Sequence, residues 1–136
     1  MARGQGAAND AAETIRVLHV DDDPAATELV ERLLGGREWG FRVSTANSAT
    51  EGLGRLRLRQ FDCVVSDYDM PDMNGLAFFE TLRAEGCDVP GILFTGHASD
   101  LLVEQARDHG VVETVSKGAG IEQYRTLAAS IEQAVN

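Results

Sequence analysis

Cys63-Val64-Val65-Ser66-Asp67-Tyr68-Asp69-Met70-Pro71-Asp72-Met73-Asn74-Gly75 is the stretch on which the reading of the fold turns. It begins as a short apolar run, meets an acid at Asp67, and is broken by Pro71 and by Asn74-Gly75. A run of that length bounded by Pro and Gly predicts a buried strand that delivers Asp67 into a loop. An acid just after a strand is also a common turn or capping residue. Three further strand-like runs weigh against that plainer reading, because each also ends on a reactive side chain. Ile15 to Val20 runs into Asp21-Asp22, Ile92 to Phe94 into Thr95, and Val111 to Ser116 into Lys117. In an open α/β sheet, ligands bind outside the carboxyl ends of the strands. Three acids, a hydroxyl and an amine converging there make one site.

With 136 residues the chain has room for one domain around a single sizeable core. No apolar run approaches the roughly 18 residues of a membrane-spanning helix, and the opening residues lack the apolar segment of a secretory signal. Cys63 and Cys87 share no metal-type spacing and read as reduced thiols of a cytoplasmic protein. A formal charge of −10 excludes direct nucleic-acid binding as the leading role, since phosphate contacts need Lys and Arg. Lys117 is the only lysine. An acid excess with so little lysine fits a high-salt cytoplasm, or simply a biased genome.

Residues 1–13 have no periodicity and read as a mobile lead before a domain spanning 14–136. Ile15, Val17, Leu18 and Val20 form the first strand. Asp23-Pro24 gives a capping acid with proline at the first helical position, and Gly35-Gly36 stops that helix. Phe41 to Ala46 is the second strand. Ser48-Ala49-Thr50-Glu51 has the capping-box pattern and opens the second helix. A helix over 75–84 follows the central strand, Pro90 begins the fourth strand, and a helix over 98–109 is ended by Gly110. After the fifth strand, Val111 to Ser116, the last helix runs from about Ile121 to Ala134. Five β-then-α units with short connections predict a parallel sheet covered by helices on both faces.

Asp21, Asp22 and Asp67 cannot sit together as bare anions. Two unit charges about 4 Å apart repel by roughly 4 kcal/mol at an effective dielectric of 20. Either one acid is protonated or a cation bridges them, and hard carboxylate oxygens suit Mg2+. A lysine reaching the same place neutralises further charge. An acid, a divalent metal, a hydroxyl donor and an amine are the parts needed to accept a phosphoryl group as an aspartyl phosphate.

These residues resemble the receiver domain of two-component response regulators. The resemblance rests on V-D-D-D-P, V-V-S-D-Y-D-M-P-D-M-N-G, L-F-T-G-H-A and V-S-K-G, in that order and spacing, and covers residues 14–135. It implies a flavodoxin-like five-stranded parallel sheet of order 2-1-3-4-5. It implies Asp67 as phosphoacceptor and Mg2+ as cofactor. Asp22 would then bind the metal directly, Asp21 partly through water, and Asp69 through its backbone carbonyl, beside Asp67 itself. Thr95 would hydrogen-bond the phosphoryl group and Lys117 would pair with it. The implied partners are a sensor histidine kinase or a phosphotransfer protein, plus an output partner the sequence does not name. A monomer or weak dimer without membrane attachment is expected, acting as a switch or a phosphorelay rather than an enzyme. Two departures stand out. Gly118 follows Lys117 where receivers commonly carry a cis proline. Thr114 occupies a position often aromatic in receivers, so an aromatic in–out switch is absent.

The remaining candidates have plainer readings. His19 reads as a packed strand residue rather than a ligand. His97 either flanks the phosphoryl site, by analogy, or simply starts a helix. Asp72 and Glu113 read as solvated charges, and Trp39 as the close of the turn after the first helix. Asp67-Tyr68-Asp69 also matches the D-x-D of Mg2+-dependent aspartyl-phosphate phosphatases, but there the motif lies near the first strand. A degenerate receiver used as a constitutive binding module is the third reading, and the complete acid, hydroxyl and amine set argues against it.

Overall fold

The computed structural model describes residues 14–136; the expected lead over 1–13 lies outside the described residues. Among the described residues, five strands and five helices alternate without interruption. They are β1 (Arg16–Val20), α1 (Pro24–Leu34), β2 (Arg42–Ala46), α2 (Ala49–Leu58) and β3 (Cys63–Ser66), then α3 (Gly75–Ala84), β4 (Gly91–Thr95), α4 (Asp100–Arg107), β5 (Val111–Ser116) and α5 (Glu122–Val135). All strands are parallel, in the order β2-β1-β3-β4-β5, as the resemblance implied.

The three central strands are buried on both faces, which is why β1, β3 and β4 read as continuous apolar runs, whereas the edge strands β2 and β5 are partly exposed. Leu18, Val20, Val64 and Leu93 meet Leu53, Phe78, Phe79 and Leu82 on one side. Val17, Val65, Ile92 and Phe94 meet Val30, Leu34, Leu127 and Ile131 on the other. Trp39 packs part-buried against this second core.

Helix starts follow the expected chemistry, with two differences. The Asp23 carboxylate accepts from the Ala25 N–H at 3.0 Å, and Ser48 Oγ from the Glu51 N–H at 3.0 Å. The Glu51 carboxylate, however, accepts from the Asn47 N–H at 2.7 Å, one residue before the capping-box position. Helix α4 is shorter than the expected 98–109, because Ser99 caps it by accepting from the Leu102 N–H at 3.1 Å. Its far end breaks into a turn that Gly110 closes at φ +77.

Two features bring the strand ends into line. Val20 pairs with Ser66 across β1 and β3, so the residues that follow, Asp21 and Asp67, emerge side by side. Between β4 and β5 the register jumps: Gly91 pairs with Val111 but Ile92 with Glu113, leaving Val112 as an extra residue. Such a bulge inverts the facing of everything beyond it. Val111 accordingly joins the core on the α3 side, whereas Val115, four residues on, joins the core under α5. The shift also sets Thr95 opposite Ser116, which places Lys117 just past the Thr95 strand end.

Candidate functional site

Loop geometry at the carboxyl edge is set by backbone bonds from the strands themselves. The Asp21 N–H donates to Ala46 O at 3.0 Å, the Asp67 N–H to Val20 O at 2.9 Å, and the Lys117 N–H to Thr95 O at 2.8 Å. Each site residue is therefore pinned to the neighbouring strand. Gly75 closes the loop after β3: its N–H donates to Tyr68 O at 2.7 Å. A side chain at Gly75 would collide with Asp67 O, so α3 can dock this closely on the end of β3 only through glycine.

The sequence expectation of one acidic site is met in the geometry. Carboxylate oxygens of Asp21, Asp22 and Asp67 all lie within 4.8 Å of one another. Asp21 is buried, Asp67 nearly so, and Asp22 exposed. Lys117 reaches in from β5, its Nζ 3.0 Å from Asp21 Oδ2 and 3.5 Å from Asp67 Oδ1. Burial lowers the Lys117 pKa, but Asp21 and Asp67 outweigh it and hold the ammonium above its ordinary value. For Asp67, burial is the largest influence and raises its pKa. Lys117 pulls the other way, Asp21 adds to the rise, and the net direction is upward although the Tyr68 N–H also stabilises the anion at 2.8 Å. A buried acid held above its usual range beside two other carboxylates is a group short of positive charge. Oxygen donors from two or three carboxylates, open to solvent on the Asp22 side, fit a hard divalent cation that keeps several waters.

Thr95 is fully buried at the end of β4, and its Oγ1 accepts from the His97 N–H at 3.2 Å. That bond uses the oxygen as acceptor and leaves the hydroxyl proton free to donate. His97 and Asp69 face each other at the rim: Nε2 lies 3.6 Å from Asp69 Oδ2, with side chains 78% and 62% exposed. His97 lies two residues before the Ser99 cap of α4, so it does not itself start that helix. The peptide bond into Gly118 is trans, as are all those described. The Gln123 side chain ties this loop down, donating to Gly118 O at 2.8 Å and Gly120 O at 3.1 Å.

His19 and Glu113 match their plainer readings, the first fully buried in β1 and the second exposed on β5. Asp72 does so only in part. It is exposed as expected, yet its carboxylate also accepts from the Thr50 N–H and hydroxyl, both at 2.9 Å, and from the Ala49 N–H at 3.3 Å. A helix N-terminus draws an acid in this way because its first N–H groups have no partner within the helix. Asn47, which the sequence reading passed over, donates from Nδ2 to Asp21 O at 3.0 Å and to Thr27 Oγ1 at 3.2 Å.

Comparison with known proteins agrees with this geometry. The family model described as the response regulator receiver domain matches residues 17–129. Two-component response regulator ARR12 of Arabidopsis thaliana is 36% identical over 115 residues, covering 83% of this chain and 19% of that protein. Transcriptional regulatory protein ZraR of Escherichia coli O157:H7 is 30% identical over 123 residues, 90% of this chain and 27% of that one. The chain thus spans about a fifth to a quarter of the length of these curated relatives. Among solved structures, a CheY-like receiver domain protein from Methanospirillum hungatei JF-1 superposes with a TM-score of 0.78 at 26% identity, covering 90% of this chain and 94% of that one. Response regulator TrrA from Thermotoga maritima, solved in complex with Mg2+ and BeF, gives 0.73 at 26% identity, covering 87% and 99%.

Proposed function

Because the chain belongs to the response regulator receiver domain family, we propose that Asp67 accepts a phosphoryl group from a phosphohistidine of a sensor kinase or phosphotransfer protein. The observation that carries this reading is the meeting of Asp21, Asp22 and Asp67 within 4.8 Å with Lys117 Nζ beside them. In the proposed step a carboxylate oxygen of Asp67 forms a new O–P bond while the donor's N–P bond breaks. The electron pair of that bond stays on the donor imidazole. Asp21, Asp22 and Asp67, with the backbone carbonyl of Asp69, would hold Mg2+. Once bound, the ion would neutralise charge on the phosphoryl oxygens. Lys117 and the Thr95 hydroxyl would hold two of those oxygens after transfer. Positioning and charge compensation are what phosphoryl transfer asks of a protein, and this set supplies both.

The test uses a small acyl phosphate as donor. With Mg2+, one phosphoryl group per chain should appear, labile to hydroxylamine as an acyl phosphate is, and chelation should abolish labelling. Mg2+ alone should raise the melting temperature; at a hundredfold excess over Kd it adds about 2.7 kcal/mol of stability. Metal-independent labelling, a melt unmoved by millimolar Mg2+, or steady turnover of a generic phosphomonoester would overturn the assignment.

The lifetime of the phosphoryl group should be set at the rim. Water must reach phosphorus in line, opposite the Asp67 oxygen, and the Asp69–His97 pair, 3.6 Å apart, would flank that approach. Replacing Asp69 or His97 by Ala is expected to change the decay rate of phosphorylated protein by about tenfold, roughly 1.4 kcal/mol in barrier. Arg57→Ala, on the exposed side of α2, should leave it unchanged. Equal half-lives for all three would remove the pair from any role in access.

A further inference from the structure

The N-terminus of α2 lies between the two loops that carry the acids, and it is bonded to both. On one side Asn47 Nδ2 donates to Asp21 O, in the loop after β1. On the other, the Asp72 carboxylate, in the loop after β3, accepts from Ala49, from the Thr50 N–H and from the Thr50 hydroxyl. Asp72 Oδ1 also takes the Met73 N–H at 3.1 Å, which stiffens its own turn. Ser48 already caps α2 from within, through Glu51. The Asp72 bonds therefore do something Ser48 does not: they join segments 22 and 23 residues apart in sequence.

We infer that Asp72 is a positioning residue for the metal site, clamping the loop after β3 to the start of α2 so that the Asp69 backbone is held in place. This rests on the proposed Mg2+ site. Between Tyr68, tied to Gly75, and Asp72, tied to α2, only Asp69, Met70 and Pro71 remain, and Met70 is buried. With both ends fixed, the Asp69 carbonyl keeps its direction before any cation arrives. Without the clamp that order has to be imposed on binding, and affinity falls by the ordering cost. Asp72 bonds Ala49, Thr50 and Met73 rather than a ligand, so it acts through the loop it holds. The effect on affinity is about tenfold, the low end of what direct partners of ligands give.

The experiment compares Asp72→Ala, Asp72→Asn, Thr50→Val and Ser48→Ala in the otherwise unchanged chain. Mg2+ affinity is read by calorimetry, and amide exchange at Gly75 is read in metal-free protein. Asp72→Ala is expected to raise the Mg2+ Kd about tenfold and to speed Gly75 exchange. Labelling by the acyl phosphate should recover at saturating Mg2+. Asp72→Asn keeps one acceptor oxygen and should recover part of the affinity. Thr50→Val removes one donor and should raise Kd by about two- to fivefold, a milder change that reports even if Asp72→Ala folds poorly. Ser48→Ala should lower the melting temperature and leave Kd as it was. If Asp72→Ala and Thr50→Val melt lower but bind Mg2+ like the parent, Asp72 is a cap and the inference fails while the metal site stands. A parent chain that binds no Mg2+ overturns the metal site and the inference together.

Discussion

Asp67→Asn should abolish labelling by acyl phosphate altogether, and should make the metal-free protein more stable, not less. The first result follows from nucleophilicity: a neutral amide offers no anionic oxygen to phosphorus. The second follows from the site's charge. Burial raises the Asp67 pKa, Lys117 only partly reverses this, and Asp21 adds to it. A carboxyl whose folded pKa lies above its unfolded value costs stability once it is ionised, so at neutral pH its removal relieves a cost. Mg2+ should reverse the order of the melting temperatures, since the parent keeps a ligand the variant lacks. Label that persists in Asp67→Asn, or maps to Ser66, would sink the assignment. A variant that melts below the parent without Mg2+ would show that the acids are already compensated.

The second large effect concerns His19, which the mechanism does not use. Its ring is fully buried in β1, with neither nitrogen hydrogen-bonded among the described residues. Burial lowers its pKa to about 4; Asp21 pulls it up and Lys117 pushes it further down. The unfolded chain takes up this proton near pH 6.5, the folded one only near 4. Above pH 6.5 both states hold a neutral ring and nothing is lost. As pH falls from 6.5 toward 4 the unfolded state gains the proton first, and stability declines by up to about 3 kcal/mol. His19→Leu removes the proton site and two unsatisfied nitrogens for a side chain of similar size. It should flatten the decline in melting temperature between pH 7 and pH 5 and raise stability at neutral pH. Parallel pH profiles for parent and variant would mean that the ring is not held neutral.

Much of this site was legible because four strand ends each carry a chemically distinct residue. Asp21-Asp22, Asp67, Thr95 and Lys117 terminate apolar runs, and a parallel sheet sends all such ends to one edge. Strand order came only through resemblance, since apolar periodicity says nothing of which strands are neighbours. The bulge at Val112 was not readable for a related reason. β5 is an edge strand with Val112, Glu113 and Ser116 exposed, and its short run Val-Val-Glu-Thr-Val-Ser has no strict alternation for an inserted residue to interrupt. The clamp at Asp72 was hidden differently: an acid in a Pro-containing loop looks solvated, and its partners Ala49 and Thr50 lie over twenty residues earlier. Arg83 is a similar case. In sequence it is a last-turn base of α3, yet its guanidinium donates to His109 O, Cys87 O and Gly110 O, at 2.6, 2.9 and 3.2 Å.

The lysine held between Asp21 and Asp67 also fixes how large an electrical signal this site can send. Three carboxylates and one ammonium leave two net negative charges, which a single divalent cation cancels. In the proposed reaction, phosphorylation would exchange one carboxylate charge for a phosphoryl group carrying about two near neutral pH. The loaded site therefore differs from the resting one by about a single charge, on a chain already at −10. At physiological ionic strength a field of that size is screened within about 8 Å. A partner docked several such lengths from Asp67 would feel little of the phosphate as a potential. The proposed signal would then reach such a partner chiefly through rearranged contacts, as shape.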